Sequence, residues 1–130
     1  VKIYLCARFG RQAEMRGHRD TLTAAGHEVT SRWLDVDESA VPEADYPEHA
    51  RTDIEDIQDS DVLLAFSEEP DSPHGRGGRH VEFGYALWNN KYCAVIGPRE
   101  NIFHHLVGVP VFATIEEAID RIGRLQPITK

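Results

Sequence analysis

A chain of 130 residues, 41% hydrophobic and 28% charged, has the make-up of one globular domain built round one core. Its formal net charge of −8 argues against a nucleic-acid-coating surface, which needs a basic face, but leaves room for a small anionic ligand held by a few arginines. No run approaches the roughly 20 apolar residues of a membrane span. VKIYLCARFG lacks a signal-peptide layout, so a cytoplasmic location and no membrane partner are expected. Cys6 and Cys93 stand far apart in apolar surroundings and read as two buried thiols in a reducing compartment. With no CxxC and no HExxH, neither a metal site nor a cofactor is expected.

Residues 1–6, VKIYLC, form an apolar run of the buried-strand kind. After the turn ARFG, residues 11–25 carry helical spacing through Ala13, Met15, Leu22 and Ala25, with Gly26 as the stop. HEVTSRW, 27–33, reads as a second strand, and the acidic, proline-bearing stretch 34–48 as a loop or lid. A helix is expected from about His49 to Gln58 with Ile54 and Ile57 inward, then a central strand at 61–66. The Pro, Gly and Ser of 67–78 mark a long loop before a mostly apolar, buried helix over 79–90. YCAVIG, 92–97, is a fourth strand, 99–107 one or two helical turns, and VPVFA, 109–113, a fifth strand. Thr114 and Glu117 match a capping box opening a last helix to about Leu125, and QPITK is a tail. Strands alternating with helices predict one single-domain, doubly wound α/β fold: a five-stranded parallel sheet, Rossmann- or flavodoxin-like, with helices on both faces. Ligands of such sheets bind beyond the carboxyl ends of the strands, at loops 7–11, 34–48 and 67–80 here.

Those loops hold the candidate chemistry. Arg8 and Arg11 beside a helix start suit an anion, or are a surface pair. Gly75, Gly77 and Gly78 let backbone approach a ligand, and Arg76, Arg79 and His80 stand beside them. The spacing is neither GxGxxG after a first strand nor GxxxxGK[ST], which disfavours a dinucleotide or Walker-type site. Glu82 in the first turn of an apolar helix is either a dipole-stabilising residue or a reacting group. Pattern alone does not separate Asp53 from Glu55, Asp56 or Asp59, whose default is a solvated acidic face. Phe9 and Trp33 would stack on a ring or serve the core.

Three stretches together, YLCARF near the start, D-I-x-x-I-x-x-S-D at 53–61 and GGRHVEFGYAL at 77–87, resemble the nucleoside 2-deoxyribosyltransferase family. Its relatives include the deoxynucleoside 5'-monophosphate and CMP N-glycosidases. The resemblance implies Glu82 as nucleophile, Asp53 as the acid beside the base and Tyr4 as the hydroxyl that positions Glu82. It implies a small-molecule nucleotide or nucleoside as partner, not a nucleic-acid polymer, and a homodimer or larger assembly in which residues 101–105 help close the site. Six residues before the nucleophile, where the transferases typically place an aspartate, this chain has Arg76. A guanidinium attracts phosphate. The expected substrate-binding set is therefore Arg8, Phe9, Gly10, Arg11, Trp33, Arg76, Gly77, Gly78, Arg79 and Asn101. The expected function is hydrolysis of a (deoxy)nucleoside 5'-monophosphate. The alternatives are base exchange by a deoxyribosyltransferase, a non-catalytic nucleotide-binding module, or, more weakly, a flavodoxin-like redox protein.

Overall fold

The computed structural model of the protein describes residues 1–37 and 41–125, so the predicted tail at 126–130 and positions 38–40 of the acidic stretch lie outside the described residues. The strands β1 (Lys2–Cys6), β2 (Glu28–Val29), β3 (Val62–Phe66), β4 (Tyr92–Ile96) and β5 (Val111–Phe112) form one parallel sheet in the order β2-β1-β3-β4-β5. The helices α1 (Gln12–Ala24), α2 (Tyr46–Gln58), α3 (Gly78–Trp88) and α4 (Ile115–Ile122) alternate with them. This is the flavodoxin-like form of the expected architecture. Strand order reverses between β1 and β3, which opens a crevice at their carboxyl ends.

All five residues of β3 are buried, and β1 and β4 are buried at all but their first. Unbroken apolar runs are what a sheet covered on both faces demands. Alternation sends Tyr4 and Cys6 to the α3 side of the sheet. Phe66, on the opposite face, stacks on His18 of α1 with ring centroids 4.9 Å apart.

The edges depart from expectation for identifiable reasons. The second strand, expected over 27–33, stops at Val29. Beyond it, side chains take over the ladder: the Leu5 N–H donates to Ser31 Oγ at 2.7 Å, and the Trp33 indole N–H donates to the Leu5 carbonyl at 2.9 Å. The chain then turns through a 3-10 helix, Arg32–Asp35. On α1, Ala13 and Ala25 are exposed rather than inward; Gln12 is buried with Met15 and Leu22, its amide donating to the Trp33 and Val36 carbonyls.

The stretch expected as loop to residue 48 contains a 3-10 turn, Glu43–Asp45, and the first turn of α2, with a proline at its start. Ile54 is 41% exposed, and Asp56 takes the inward place beside Ile57. Asp56 is tolerated there because it accepts from the Arg32 backbone N–H at 2.9 Å and the Arg32 Nε at 2.8 Å. The third helix buries only Phe83 and Ala86 and leaves Val81 and Trp88 outside. Residues 99–107 contain a single 3-10 turn, Ile102–His105, and β5 is shorter than expected. The last helix ends at Ile122; Thr114 caps it by accepting from the Glu117 N–H, while Glu117 reaches back to the Ala113 N–H.

Candidate active site

A cavity of about 660 Å³ opens at the carboxyl ends of β1 and β3. The β1–α1 turn contributes Arg8, Phe9 and Gly10 to its wall, and Trp33 stands behind Phe9, ring centroids 5.5 Å apart. The Trp33 indole is already bonded to Leu5 and the residue is 6% exposed, so Trp33 backs Phe9, which is the more exposed ring at 38%. A stripe of α2 also lines the cavity: Tyr46, His49, Ala50 and Asp53, spaced i, i+3, i+4 and i+7. The loop before α3 supplies residues 74–77, and α3 supplies Gly78, Arg79 and Glu82.

Glu82 and Asp53, 29 residues apart in sequence on α3 and α2, hydrogen-bond to one another at the cavity floor. Tyr4, fully buried on β1, donates its hydroxyl to Glu82 Oε2 at 2.9 Å. Two residues on, and so on the same face of β1, the Cys6 thiol lies 3.2 Å from the Arg79 carbonyl and 3.5 Å from Glu82 Oε1. Burial, then the charge of Asp53, pushes Glu82 up to about 8. Burial also lifts Asp53 to about 6, with the Glu82 hydrogen bond opposing and the Asp56 charge adding to the rise. Burial and the nearby Glu82 raise both the Tyr4 hydroxyl and the Cys6 thiol well above their ordinary values, so both stay protonated donors. The floor of the cavity is thus two carboxyls sharing a proton, with a phenol and a thiol aimed at one of them.

The glycine loop meets this floor from above. Gly75 and Gly77 have φ of +91° and +92°, a left-handed backbone that disfavours any side chain. Gly77 caps α3 without a side chain, which leaves the first-turn N–H groups facing the loop. The Arg8 guanidinium folds over Gly10 so closely that a Cβ there would collide with it.

The predicted arginines divide. Arg8 donates Nε to Glu68 and Arg79 makes a bidentate pair with Glu100, yet both line the cavity. The Arg79 side chain is only 9% exposed and its Nε–H has no hydrogen-bond partner among the described residues. Arg76 also lines the cavity and is exposed. Arg11 is turned away, held by Glu14, Glu68 and the Ser67 carbonyl. Asn101 lies off the cavity too: its side chain caps the 3-10 turn by accepting from the Phe103 N–H and sits 3.3 Å from His80 Nδ1.

Sequence reasoning missed the upper half of the α2 stripe, Tyr46 and His49, because the helix was expected to begin only at residue 49. The signal was Pro47, a residue that fits the first helical turn. Among the described residues, no group of three His, Cys, Asp or Glu side chains is arranged to hold a metal ion, and no helix is long and apolar enough to cross a membrane. A second hollow, of about 510 Å³ and lined by Lys2, Asp59 and Asp61 among others, lies at the opposite, amino end of the strands.

A doubly wound α/β domain with a carboxyl pair at its switch point is the class that fold and site define. No protein-family model matches the sequence, and no curated protein does. Solved structures do match. The chain is similar to the CMP N-glycosidase BcmB of Clostridium botulinum, at 19% identity and a TM-score of 0.59, over 96% of this chain and 100% of that one. It is similar to a 2-deoxyribosyltransferase of Leishmania mexicana, at 16% identity and a TM-score of 0.68, over 93% and 95%. It is also similar to the 2-deoxyribosyltransferase of Bacillus psychrosaccharolyticus, at 16% identity and a TM-score of 0.73, over 99% and 100%. The fold is therefore shared with the two kinds of enzyme that the sequence motifs resemble.

Proposed function

We propose that the protein is an N-glycosidase that cleaves the base–sugar bond of a (deoxy)nucleoside 5'-monophosphate. The observation that carries this reading is the Tyr4–Glu82–Asp53 array at the cavity floor. A glycosidic C–N bond breaks through an oxocarbenium-like sugar, which a carboxylate beneath it traps as an ester. The reacting form has the shared proton on Asp53: Glu82, ionised and held by Tyr4, attacks the anomeric carbon while Asp53 gives that proton to the departing base. Water then attacks the anomeric carbon of the ester; Asp53, now a carboxylate, takes the water's proton and Glu82 is freed. The Arg79 Nε–H, the bare amino end of α3 and Arg76 support a 5'-phosphate at the loop. Phe9, backed by Trp33, is the platform for the base. Cys6 and Cys93 are buried free thiols, in keeping with a reducing, cytoplasmic setting.

A second reading, base exchange by a nucleoside deoxyribosyltransferase, is favoured by the carboxylates already paired with Arg8, Arg11 and Arg79. Both readings share the first half-reaction. Chromatography of base released from nucleosides and their 5'-monophosphates separates them. Release from monophosphates alone, falling by at least about 1,000-fold in Glu82→Ala, is the expected result. A new nucleoside formed when a second free base is added would replace hydrolysis by transfer.

A further inference from the structure

Asp53 accounts for the inner end of the α2 stripe, and nothing so far accounts for the polar residue above it. We infer that His49 reads the outer edge of the nucleobase, making it a specificity-determining residue of the site. The inference rests on the proposed nucleotide chemistry and deepens it.

Phe9 and the Tyr46–His49–Asp53 stripe of α2 are both walls of the cavity that Glu82 also lines. A sugar attacked by Glu82 has its anomeric carbon at the floor, and its base must then rise between these walls. Asp53, hydrogen-bonded to Glu82, meets the base near the glycosidic bond. His49 lies about one helical turn further from the floor on the same stripe, about 6 Å along the axis, a distance on the scale of one nucleobase. The imidazole is half-buried and near enough to Asp53 to interact with it electrostatically. At that height a base presents the exocyclic oxygen or amino group opposite its glycosidic nitrogen. A neutral imidazole can donate to the oxygen or accept from the amino group. Phe9 cannot make that distinction, because stacking tolerates every base.

The test pairs a deletion on the protein with a deletion on the ligand. Inosine 5'-monophosphate and purine riboside 5'-monophosphate differ at the outer-edge oxygen. Cytidine 5'-monophosphate and its 2-pyrimidinone counterpart differ at the outer-edge amino group. Base release and dissociation constants are measured for these four with the wild type, His49→Ala and His49→Leu, which keeps the bulk of the side chain.

In the preferred base series, the wild type should discriminate against the stripped analogue by about tenfold, the worth of one hydrogen bond. Both variants should treat the pair alike within about threefold. An equal loss on both members of each pair, with the discrimination intact, would overturn the role of His49 while leaving hydrolysis standing. Binding without release would overturn hydrolysis, and the dissociation constants would still decide His49. No binding of any of the four would overturn both.

Discussion

Glu82 and Asp53 hold one proton between them across neutral pH, and that single fact sets how the site responds to acid and base. On the proposed mechanism no nucleophile remains below about 6, where both carboxyls are protonated, and above about 8 neither can protonate the leaving base. The expected kcat/KM profile for base release is bell-shaped between those limits, and a flat profile from pH ~5 to ~9 would contradict the shared proton. Stability carries the same signature. Burial raises Glu82 above its ordinary 4.5, so the folded state binds this proton more tightly than the unfolded chain does. The resulting stabilisation is fully present below 4.5 and is lost as pH rises through about 8. Glu82→Gln removes that dependence. In urea titrations it should be more stable than the wild type at pH ~9, by on the order of 2–4 kcal/mol, and nearly equal to it at pH ~4.

At the scale of elements, the site depends on how α2 is hung. Asp56 clamps the helix to the chain leaving β2 through Arg32, and its backbone carbonyl accepts from the Thr30 hydroxyl at 2.9 Å. One turn away, Asp53 meets Glu82. Asp56→Ala strips the part-buried Arg32 N–H of its acceptor and should cost about 1–3 kcal/mol in urea unfolding. Asp56→Asn keeps an acceptor but removes the charge that helps raise Asp53. Its acid limb should therefore move to lower pH; an unmoved limb would mean that the clamp is purely mechanical. The same region shows what local pattern misses. HEVTSRW alternates as a strand should, yet Ser31 and Trp33 spend their side chains on the Leu5 backbone and end the pairing at Val29. Only a structure shows which strand's backbone those side chains reach.

For the whole molecule, the surface that stands out is apolar rather than charged. Val81 and Trp88 on α3 are 72% and 86% exposed, and Ile102 and Phe103 on the neighbouring 3-10 turn are 78% and 57% exposed. His104 packs its ring on Phe83 of α3, which fixes the turn against the helix. The family resemblance implies a dimer or larger assembly, and we propose that a second copy of the chain packs on this face. Sedimentation should show a dimer or larger species that Trp88→Lys shifts to monomer; a monomeric wild type would remove the assembly from the account.

The sequence by itself determined the central strands, the parallel winding and the singular position of Glu82. Those follow from short-range facts: unbroken apolar runs, their alternation with helical spacing, and a carboxylate set into an apolar helix start. Tertiary structure alone decided which acidic residue of 53–59 faces Glu82, because four carboxylates within two helical turns look alike until a partner helix selects one. It also decided which arginines line the cavity. Arg11 and Arg79 read alike along the chain, but Glu14 and Glu68 draw the first away from the cavity, while Glu100 holds the second at its wall with one N–H to spare. Charge pairing between residues as far apart as Arg11 and Glu68 leaves no local trace, and burial of a carboxyl pair depends on elements that meet only when the sheet has formed.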